Sequence, residues 1–301
     1  MRHPAPRLLG AAFTLALFAA ACGGTANTPA PQSKGTVTVG TFNFSESGIL
    51  GHIYGGALKA KGWTVKYRDN LGNREVVEPA LERGDIDLYP GYAATELEFV
   101  NKGKGEATPD AQATASKLNT YLDPKSLKAL NPSTAVDQNA FAVSKNGKWS
   151  SMKKLSDLAA VGDQLTLGGP AECPKRPFCQ AGLEKVYGIH FKAFKALDVG
   201  GPLTKAALDK GDIDVGLITS SDSAYATGKY VQLEDDKHLQ NADNVTPVVR
   251  TKTVTSDADS VLNAVSSKLN TDDLIAMNKK ADVDKQDPDQ IAADWLKSHG
   301  F

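Results

Sequence analysis

The sequence predicts an α/β fold with a largely parallel sheet, and two observations support this prediction. Short runs rich in β-branched residues alternate with longer segments whose apolar residues recur at helical spacing, the pattern of strands joined by helices. In addition, the segment Ala80–Asp87 recurs with small changes as Ala207–Asp214. Each copy has the pattern of a helix end, a glycine in the left-handed position and a short strand. The repeat indicates one such unit in each of two lobes, although convergence on a common turn would also produce it.

The N-terminal residues precede the predicted fold. Two arginines and an apolar run, residues 8–21, lead to Cys22. This arrangement is typical of a secretory signal peptide over residues 1–21, and the run is short for a membrane span. Small residues before the cysteine resemble a bacterial lipoprotein processing site, at which Cys22 would be lipidated; plain secretion remains the alternative. Residues 22–35 then form a flexible tether rich in Gly, Thr, Pro and Ala.

The elements of the folded part follow in order. Residues 36–40 alternate as a strand, and a helix begins at Ser45 or Ser47, which can cap it, and ends at Gly62. The later apolar patterns predict, in order, a strand at 63–67, a helix ending at Gly84, a strand at 86–88, a strand at 141–143, a turn at 145–148, a helix at 152–160, strands at 165–167 and 245–249, and helices at 260–269, 272–280 and 288–299.

Composition and motifs favour binding over catalysis. The chain has 34 Lys and Arg against 35 Asp and Glu, a balance that argues against a nucleic-acid-binding protein. The sequence contains no nucleophile elbow, zinc-protease or Walker motif, and its five histidines are not at metal-ligand spacing. We therefore expect no metal, no cofactor and no enzyme. The paired aspartates of the two repeats, such as Asp85 and Asp87, are expected to be solvated or to cap strand ends.

Two cysteines remain after the signal segment. Cys173 and Cys179 are six positions apart, and in an exported chain such a pair is most simply a disulfide. A metal site is the weaker alternative, because two thiols without a nearby histidine supply half of a zinc site.

Aromatic residues lie where strands end. Phe42 and Phe44 follow the first strand, Tyr89 and Tyr92 follow the strand at 86–88, and Phe141 lies at a lobe boundary. Loops at the carboxyl ends of parallel strands form the ligand crevice of α/β proteins. Ring faces there suit a quaternary ammonium ion, which cannot donate hydrogen bonds. The alternative is that these rings are ordinary core residues.

The sequence also resembles a known family. It is similar to the extracytoplasmic substrate-binding proteins of ABC importers for osmoprotectants (glycine betaine, proline betaine, choline and carnitine). The resemblance implies a type II periplasmic-binding-protein fold, with one lobe from residues 36–140 and 247–301, the other from 141–246, and a hinge near Phe141 and Pro247. It is carried by residues 40–54 (GTFNFSESGILGHIY), 84–95 (GDIDLYPGYAAT), 182–198 (GLEKVYGIHFKAFKALD), 233–238 (LEDDKH) and 246–250 (TPVVR).

The resemblance implies several site residues. Tyr92 corresponds to a cage tyrosine of the family, Thr95 to the threonine that ends the same motif, and Tyr89 to the first tyrosine of that motif. Phe141 corresponds to a further cage aromatic. An arginine that binds the ligand carboxylate corresponds to Arg176, with an ordinary surface arginine as the alternative.

Other positions depart from the family pattern. Phe42, beside Asn43, stands where many relatives have a lysine, Thr219 replaces a tyrosine, and Asp243 or Asn244 replaces another. Two interpretations follow. Phe42, Tyr92 and Phe141 form a reshaped cage with Asp243 as counter-charge, while Asn43 and Thr219 line it, or the pocket holds a different small polar or zwitterionic solute.

Together these features predict an extracytoplasmic receptor that is anchored to the cell membrane by its N-terminal lipid. It would capture a small-molecule osmoprotectant between two lobes and pass it to ABC permease and ATPase subunits. We expect a monomer that binds no nucleic acid. A sensory binding protein would have the same sequence features.

Overall fold

Residues 33–301, described by the computed structural model, form two five-stranded sheets flanked by helices. The predicted signal peptide and Cys22 lie outside the described residues. The strands are β1 Thr36–Gly40, β2 Thr64–Arg68, β3 Leu88–Tyr92, β4 Leu127–Ala129, β5 Phe141–Ser144, β6 Thr166–Gly169, β7 Ala193–Ala196, β8 Val215–Leu217, β9 Tyr230–Gln232 and β10 Val245–Arg250. The helices are α1 Ser45–Ala60, α2 Arg74–Arg83, α3 Ala93–Val100, α4 Ala111–Leu122, α5 Gln180–Gly182 with a π turn over Leu183–Tyr187, α6 Pro202–Lys210, α7 Ser256–Ser266, α8 Thr271–Asp282 and α9 Pro288–Ser298.

The first sheet has the strand order β2-β1-β3-β10-β4. β1 lies parallel to β2 and β3, whereas β10 lies antiparallel between β3 and β4, with Pro247 opposite Pro90. The apolar stripe of α1, including Ile49, Leu50 and Ile53, is fully buried against this sheet. Burial of each such side chain contributes about 1.5–3 kcal/mol. This packing fixes the loop between β1 and α1, which carries the first part of the site.

The second sheet has the order β7-β6-β8-β5-β9. β6 is parallel to β7 and β8, and β5 is antiparallel to β8 and β9. The predicted fold class, a two-lobe α/β protein with mostly parallel sheets, is therefore confirmed, with antiparallel strands where the chain passes between the lobes.

The chain crosses between the sheets twice, and Val136 pairs with Asn244 by an antiparallel bridge where the crossing segments meet. The strands of the first sheet come from residues 36–129 and 245–250, and those of the second sheet from residues 141–232. We call the residues packed around the first sheet the first lobe, those packed around the second sheet the second lobe, and residues 137–138 and 242–243 the crossing segments.

The sequence placed the second crossing near Pro247, but this residue lies inside β10. The strand begins at Val245 and pairs with β3 through residues 245–249 and with β4 through residues 248–250, so residues 245 and 246 are part of the first sheet. At the other crossing, the backbone of Ala140 pairs with that of Ile218, which assigns Ala140 to the second lobe.

The repeated segment has the predicted structure in both lobes. Helix α2 ends at Gly84 and α6 at Gly211, each in the left-handed region, with φ of 83° and 73°. A strand follows in each case. Asp87 accepts a hydrogen bond from the Thr38 amide, and Asp214 accepts one from the amide of Thr166. Asp214 therefore binds the first residue of β6, the capping role expected for it, whereas Asp87 binds the middle of β1.

Some predicted elements differ from the structure. Only a 3-10 turn, Leu155–Leu158, forms where a helix at 152–160 was expected. Helix α1 begins after Phe44 without a side-chain cap, because Ser47 instead accepts a hydrogen bond from the Phe42 amide in the preceding loop. Among residues 33–301, no helix is both long and apolar enough to span a membrane.

Candidate functional site

Three aromatic rings meet at one edge of the first sheet. β1 and β3 are parallel neighbours, so their carboxyl ends lie at the same edge, where Phe42 and Phe44 follow β1 and Tyr92 is the last residue of β3. The rings of Phe42 and Phe44 stack with centroids 5.7 Å apart, and the Tyr92 ring lies 6.4 Å from Phe42 and 6.2 Å from Phe44. The sequence predicted this juxtaposition for Phe42 and Tyr92.

The rings line a cavity between the lobes, which we call the cage cavity. Its volume is about 60 Å³, room for a few water molecules. The second lobe closes it from the other side. Its lining residues are Phe42, Phe44, Asn73, Arg74, Tyr92, Thr95, Asp137, Gln138, Asn139, Arg176, Val199, Thr219 and Asp243.

Thr95 and Asp243 meet at the start of α3. The Thr95 amide donates to Asp243 Oδ1 at 2.8 Å, and the Thr95 hydroxyl donates to the same oxygen at 3.2 Å. Burial raises the pKa of Asp243 to about 6, against the opposing effect of these hydrogen bonds and of the Arg74 charge. Asp243 thus caps the N-terminus of α3, where a carboxylate is stabilised. Only the part of its carboxyl group that does not bind Thr95 can act as a counter-charge to a ligand in the cavity.

Arg176 reaches the cage cavity from the second lobe. Its loop is closed by the disulfide between Cys173 and Cys179, whose Cα atoms are 5.2 Å apart. Its Nη2 donates to Glu75 in the first lobe at 2.8 Å and lies 3.0 Å from Glu172. Burial and the like charge of Arg74 lower the pKa of Arg176. The Arg176 side chain therefore bridges the lobes at the cavity wall.

Phe141, expected as a ring of the cage, is absent from the cage cavity wall. β5 lies between β8 and β9, and Phe141, only 1% exposed, packs in the core of the second lobe. Tyr89 is three residues before Tyr92 on β3 and so points to the opposite face of the strand. Its buried ring meets Phe42 edge-on at 5.6 Å and supports that ring from behind.

A larger cavity adjoins the cage cavity. It has a volume of about 680 Å³ and we call it the cleft-mouth cavity. Asn43 lines only this one of the two cavities, and Thr219 lines both. Its other lining includes Phe44, Glu46, Asp137, Val199, Lys205, Asp222, Asn278, Asp282 and Lys285.

A buried carboxyl, which the sequence analysis missed, joins the two lobes beside the rings. Glu46 accepts hydrogen bonds from the Tyr92 hydroxyl at 2.6 Å, from Asn278 Nδ2 at 2.6 Å and from Ser221 Oγ at 2.7 Å. Tyr92 and Asn278 belong to the first lobe, and Ser221 belongs to the second. We call these four residues the Glu46 cluster. Burial raises the pKa of Glu46, against the opposing effect of its hydrogen-bond donors.

A second buried carboxyl lies on a crossing segment. Asp137 accepts a hydrogen bond from the Ser221 amide at 3.0 Å. Burial, and then the charge of Glu46, raise the pKa of Asp137 well above its usual range. Ionisation of two neighbouring buried carboxyl groups at the same time is unfavourable. When the lobes are together, Glu46 and Asp137 therefore favour a state in which the pair keeps a proton.

Arg74 is another residue of the site that the sequence did not predict. It is the first residue of α2, where the helix dipole disfavours a positive charge, and this unfavourable position is the sequence signal that could have identified it. Its side chain lies on the cage cavity wall, 5.5 Å from the Phe42 ring centroid. Within residues 33–301, no group of three or more potential metal ligands is present.

Comparison with known proteins agrees with this architecture. The family model described as the substrate binding domain of ABC-type glycine betaine transport system matches residues 35–298. The glycine betaine-binding protein YehZ of Escherichia coli (strain K12) is 25% identical over 283 residues, covering 90% of this chain and 92% of that protein. The glycine-betaine-binding protein of Pseudomonas aeruginosa is 24% identical over 276 residues, covering 88% of each.

A solved structure supports the same fold. The crystal structure of a glycine betaine/carnitine/choline ABC transporter superimposes with a TM-score of 0.67 at 23% identity, covering 87% of this chain and 98% of that one. Because the family model spans nearly all of the described residues, the chain belongs to the family of substrate-binding domains of ABC-type glycine betaine transport systems.

Proposed function

We propose that this protein captures a small quaternary ammonium solute, such as glycine betaine, proline betaine, choline or carnitine, in the cage cavity and delivers it to an ABC permease. Substrate-binding proteins of ABC importers are extracytoplasmic and work with permease and ATPase subunits. The two relatives described above are named as glycine betaine-binding proteins, which supports this class of ligand.

The observation that carries the proposal is the cluster of Phe42, Phe44 and Tyr92 on the wall of a small cavity between the lobes. A quaternary ammonium group has no N–H to donate, so ring faces and acidic oxygens are the groups that stabilise it. Each such ring contact contributes about 0.5–2 kcal/mol when it is desolvated.

The second lobe supplies the remaining contacts. Arg176, Val199 and Thr219 reach the cage cavity from that side. A ligand would therefore make all of its contacts only when the lobes are together, and ligand entry requires that they separate about the crossing segments.

Isothermal titration with glycine betaine, proline betaine, choline and carnitine tests the ligand class. We expect saturable binding of at least one of them. Binding of an amino acid or sugar, with no response to these four, would reject the quaternary ammonium assignment. The ligand should be recovered chemically unchanged by mass spectrometry, because we propose no catalytic step.

Variants of Tyr92 test the aromatic contact. Tyr92→Ala should weaken quaternary ammonium binding about 3- to 30-fold, the loss of one ring contact. Tyr92→Phe keeps the ring and removes only the hydroxyl that binds Glu46, so it should bind more tightly than Tyr92→Ala. Equal affinity of Tyr92→Ala and the unchanged protein would contradict the role of this ring.

We also propose that Cys22 is the lipidated N-terminus of the mature protein and that the folded part is a monomer. The basic and apolar residues before Cys22 support the first proposal. Mass spectrometry of the mature N-terminus and the loss of membrane association in Cys22→Ala test the anchor. Light scattering of the folded part tests the oligomeric state.

A further inference from the structure

A buried cation on the cage cavity wall bears on the chemistry of the ligand. Arg74 is 7% exposed, and its Nε donates to Glu96 Oε2 at 2.8 Å. Its Nη2 donates to the Thr95 hydroxyl at 2.8 Å. Burial disfavours the charged form of Arg74, but the charges of Glu96 and Asp243 outweigh this effect and raise its pKa. The guanidinium is therefore held charged and in a fixed position.

Part of the hydrogen-bonding capacity of this guanidinium is unused. An arginine has five N–H donors, and the contacts with Glu96 and Thr95 are the hydrogen bonds of the Arg74 side chain among residues 33–301. The remaining N–H donors of Arg74 include both N–H groups of Nη1. Because Arg74 lines the cage cavity, a bound solute can accept from them.

A second cation faces the same cavity. Arg176 and Arg74 both line the cage cavity, and burial and then the like charge of Arg74 lower the pKa of Arg176. Glu75 and Glu172 hold Arg176 from outside. An anionic group between the two guanidinium groups would relieve their repulsion and could accept charge-assisted hydrogen bonds from both.

The rings that remain for the other end of such a solute are Phe44 and Tyr92. The guanidinium carbon of Arg74 lies over the Phe42 ring, 5.5 Å from its centroid, and Phe42 stacks on Phe44, so Arg74 itself occupies one face of Phe42. Because Phe44 and Tyr92 line the same cavity beside Phe42, a molecule whose carboxylate and quaternary nitrogen are separated by a few bonds can reach both Arg74 and these rings. A cation without a carboxylate would leave the donors of Arg74 without a ligand acceptor.

We propose that Arg74 is a specificity-determining residue that binds the ligand carboxylate, so that the protein prefers zwitterionic betaines to choline. This inference rests on the proposed function and narrows its ligand class. Arg74 would act as a ligand contact from the first lobe, complementary to Arg176 from the second.

The test is the ratio of the dissociation constants for glycine betaine and choline, measured by isothermal titration on the whole folded protein. We expect the unchanged protein to prefer glycine betaine. Because Arg74→Gln alone would leave Glu96 buried and unpaired, the main variant is Arg74→Gln combined with Glu96→Gln. It should lose about 10- to 150-fold in glycine betaine affinity, the range of charged hydrogen bonds, while choline affinity changes less than about threefold.

Two further variants complete the design. Arg250→Gln removes an arginine that is half-buried and pairs with Asp87 at 3.4 Å, away from both cavities, and this variant should leave the ratio unchanged. Arg74→Lys keeps the positive charge but not the planar guanidinium group, and should reduce the preference for glycine betaine. If the double variant does not fold, the ratio of dissociation constants in Arg74→Lys is the test of the inference.

The outcomes separate the two proposals. An equal loss for both ligands, or an unchanged ratio in the Arg74 variants, would overturn the inference about Arg74 alone. If the unchanged protein binds choline as tightly as the betaines, the inference is also wrong while the proposed function stands. No binding of any quaternary ammonium solute would overturn both.

Discussion

The Glu46 cluster allows closure of the lobes to be perturbed without altering either lobe by itself. Ser221 is its member from the second lobe, and its hydroxyl donates to Glu46 at 2.7 Å. Ser221→Ala removes this donor, and it also removes the oxygen that accepts from Asn278 Nδ2 at 3.1 Å; the bonds of Glu46 to Tyr92 and Asn278 stay in place. Since both lost bonds join the lobes, their cost falls on the closed form.

The expected magnitude follows from the burial of the pair. A hydrogen bond to a neutral group contributes about 0.5–1.5 kcal/mol and one to a charged group about 1.5–3 kcal/mol. Burial raises the pKa of Glu46, so its carboxyl group is partly neutral. We therefore take a free energy of about 1–2 kcal/mol for this bond, between the values for neutral and charged groups. Ligand binding that requires closure should weaken about 5- to 30-fold, measured by isothermal titration.

Ser266→Ala is the matched control. Ser266 is also buried, and its hydroxyl bonds to Tyr54 at 3.0 Å, but both residues lie in the first lobe. This variant should lower the melting temperature without changing ligand affinity. The reasoning is refuted if Ser221→Ala binds ligand within twofold of the unchanged protein, or if Ser266→Ala weakens binding equally.

Two further predictions concern stability. The pKa of Asp243 is raised from 3.8 to about 6 by burial, so its contribution to stability is complete below about pH 4 and is lost as the pH rises through 6. Relative to Asp243→Asn, the unchanged protein should lose about 2–3 kcal/mol between pH 4 and 7 in urea unfolding; parallel pH profiles would contradict this. Alanine at Gly211 should cost about 1 kcal/mol because of its left-handed backbone. Alanine at Gly84 should cost more, since its Cβ would also push the Arg250 guanidinium away from Asp87, whereas equal costs would show that Arg250 shifts without loss.

The fold and the ring cluster were predictable because they depend on local pattern. The helix, glycine and strand order of the repeat is encoded within each copy, and both copies adopt it. Phe42 and Tyr92 could be placed together because parallel neighbouring strands end at one edge. A single sheet rule was sufficient for that inference.

The remaining site residues depend on contacts between distant elements. Glu46 meets Asn278 and Ser221 only through the packing of α8 and the second lobe onto α1, which no local spacing reports. Phe141 was misplaced for a related reason. Its ring lies on a face of the second sheet that other residues of that lobe cover, so it is 1% exposed and packs in the core.

The position of β10 has a consequence for the order in which the molecule matures. This strand, from residues 245–250, lies between β3 and β4, and β4 has no other strand partner in the first sheet. The N-terminal lobe is thus incomplete until the chain has been made well past residue 250, whereas the inserted lobe is continuous in sequence. Domains usually mature from the N-terminus during synthesis; here the inserted lobe can finish first, and residues 245–250, which are made after it, complete the sheet that β1 began.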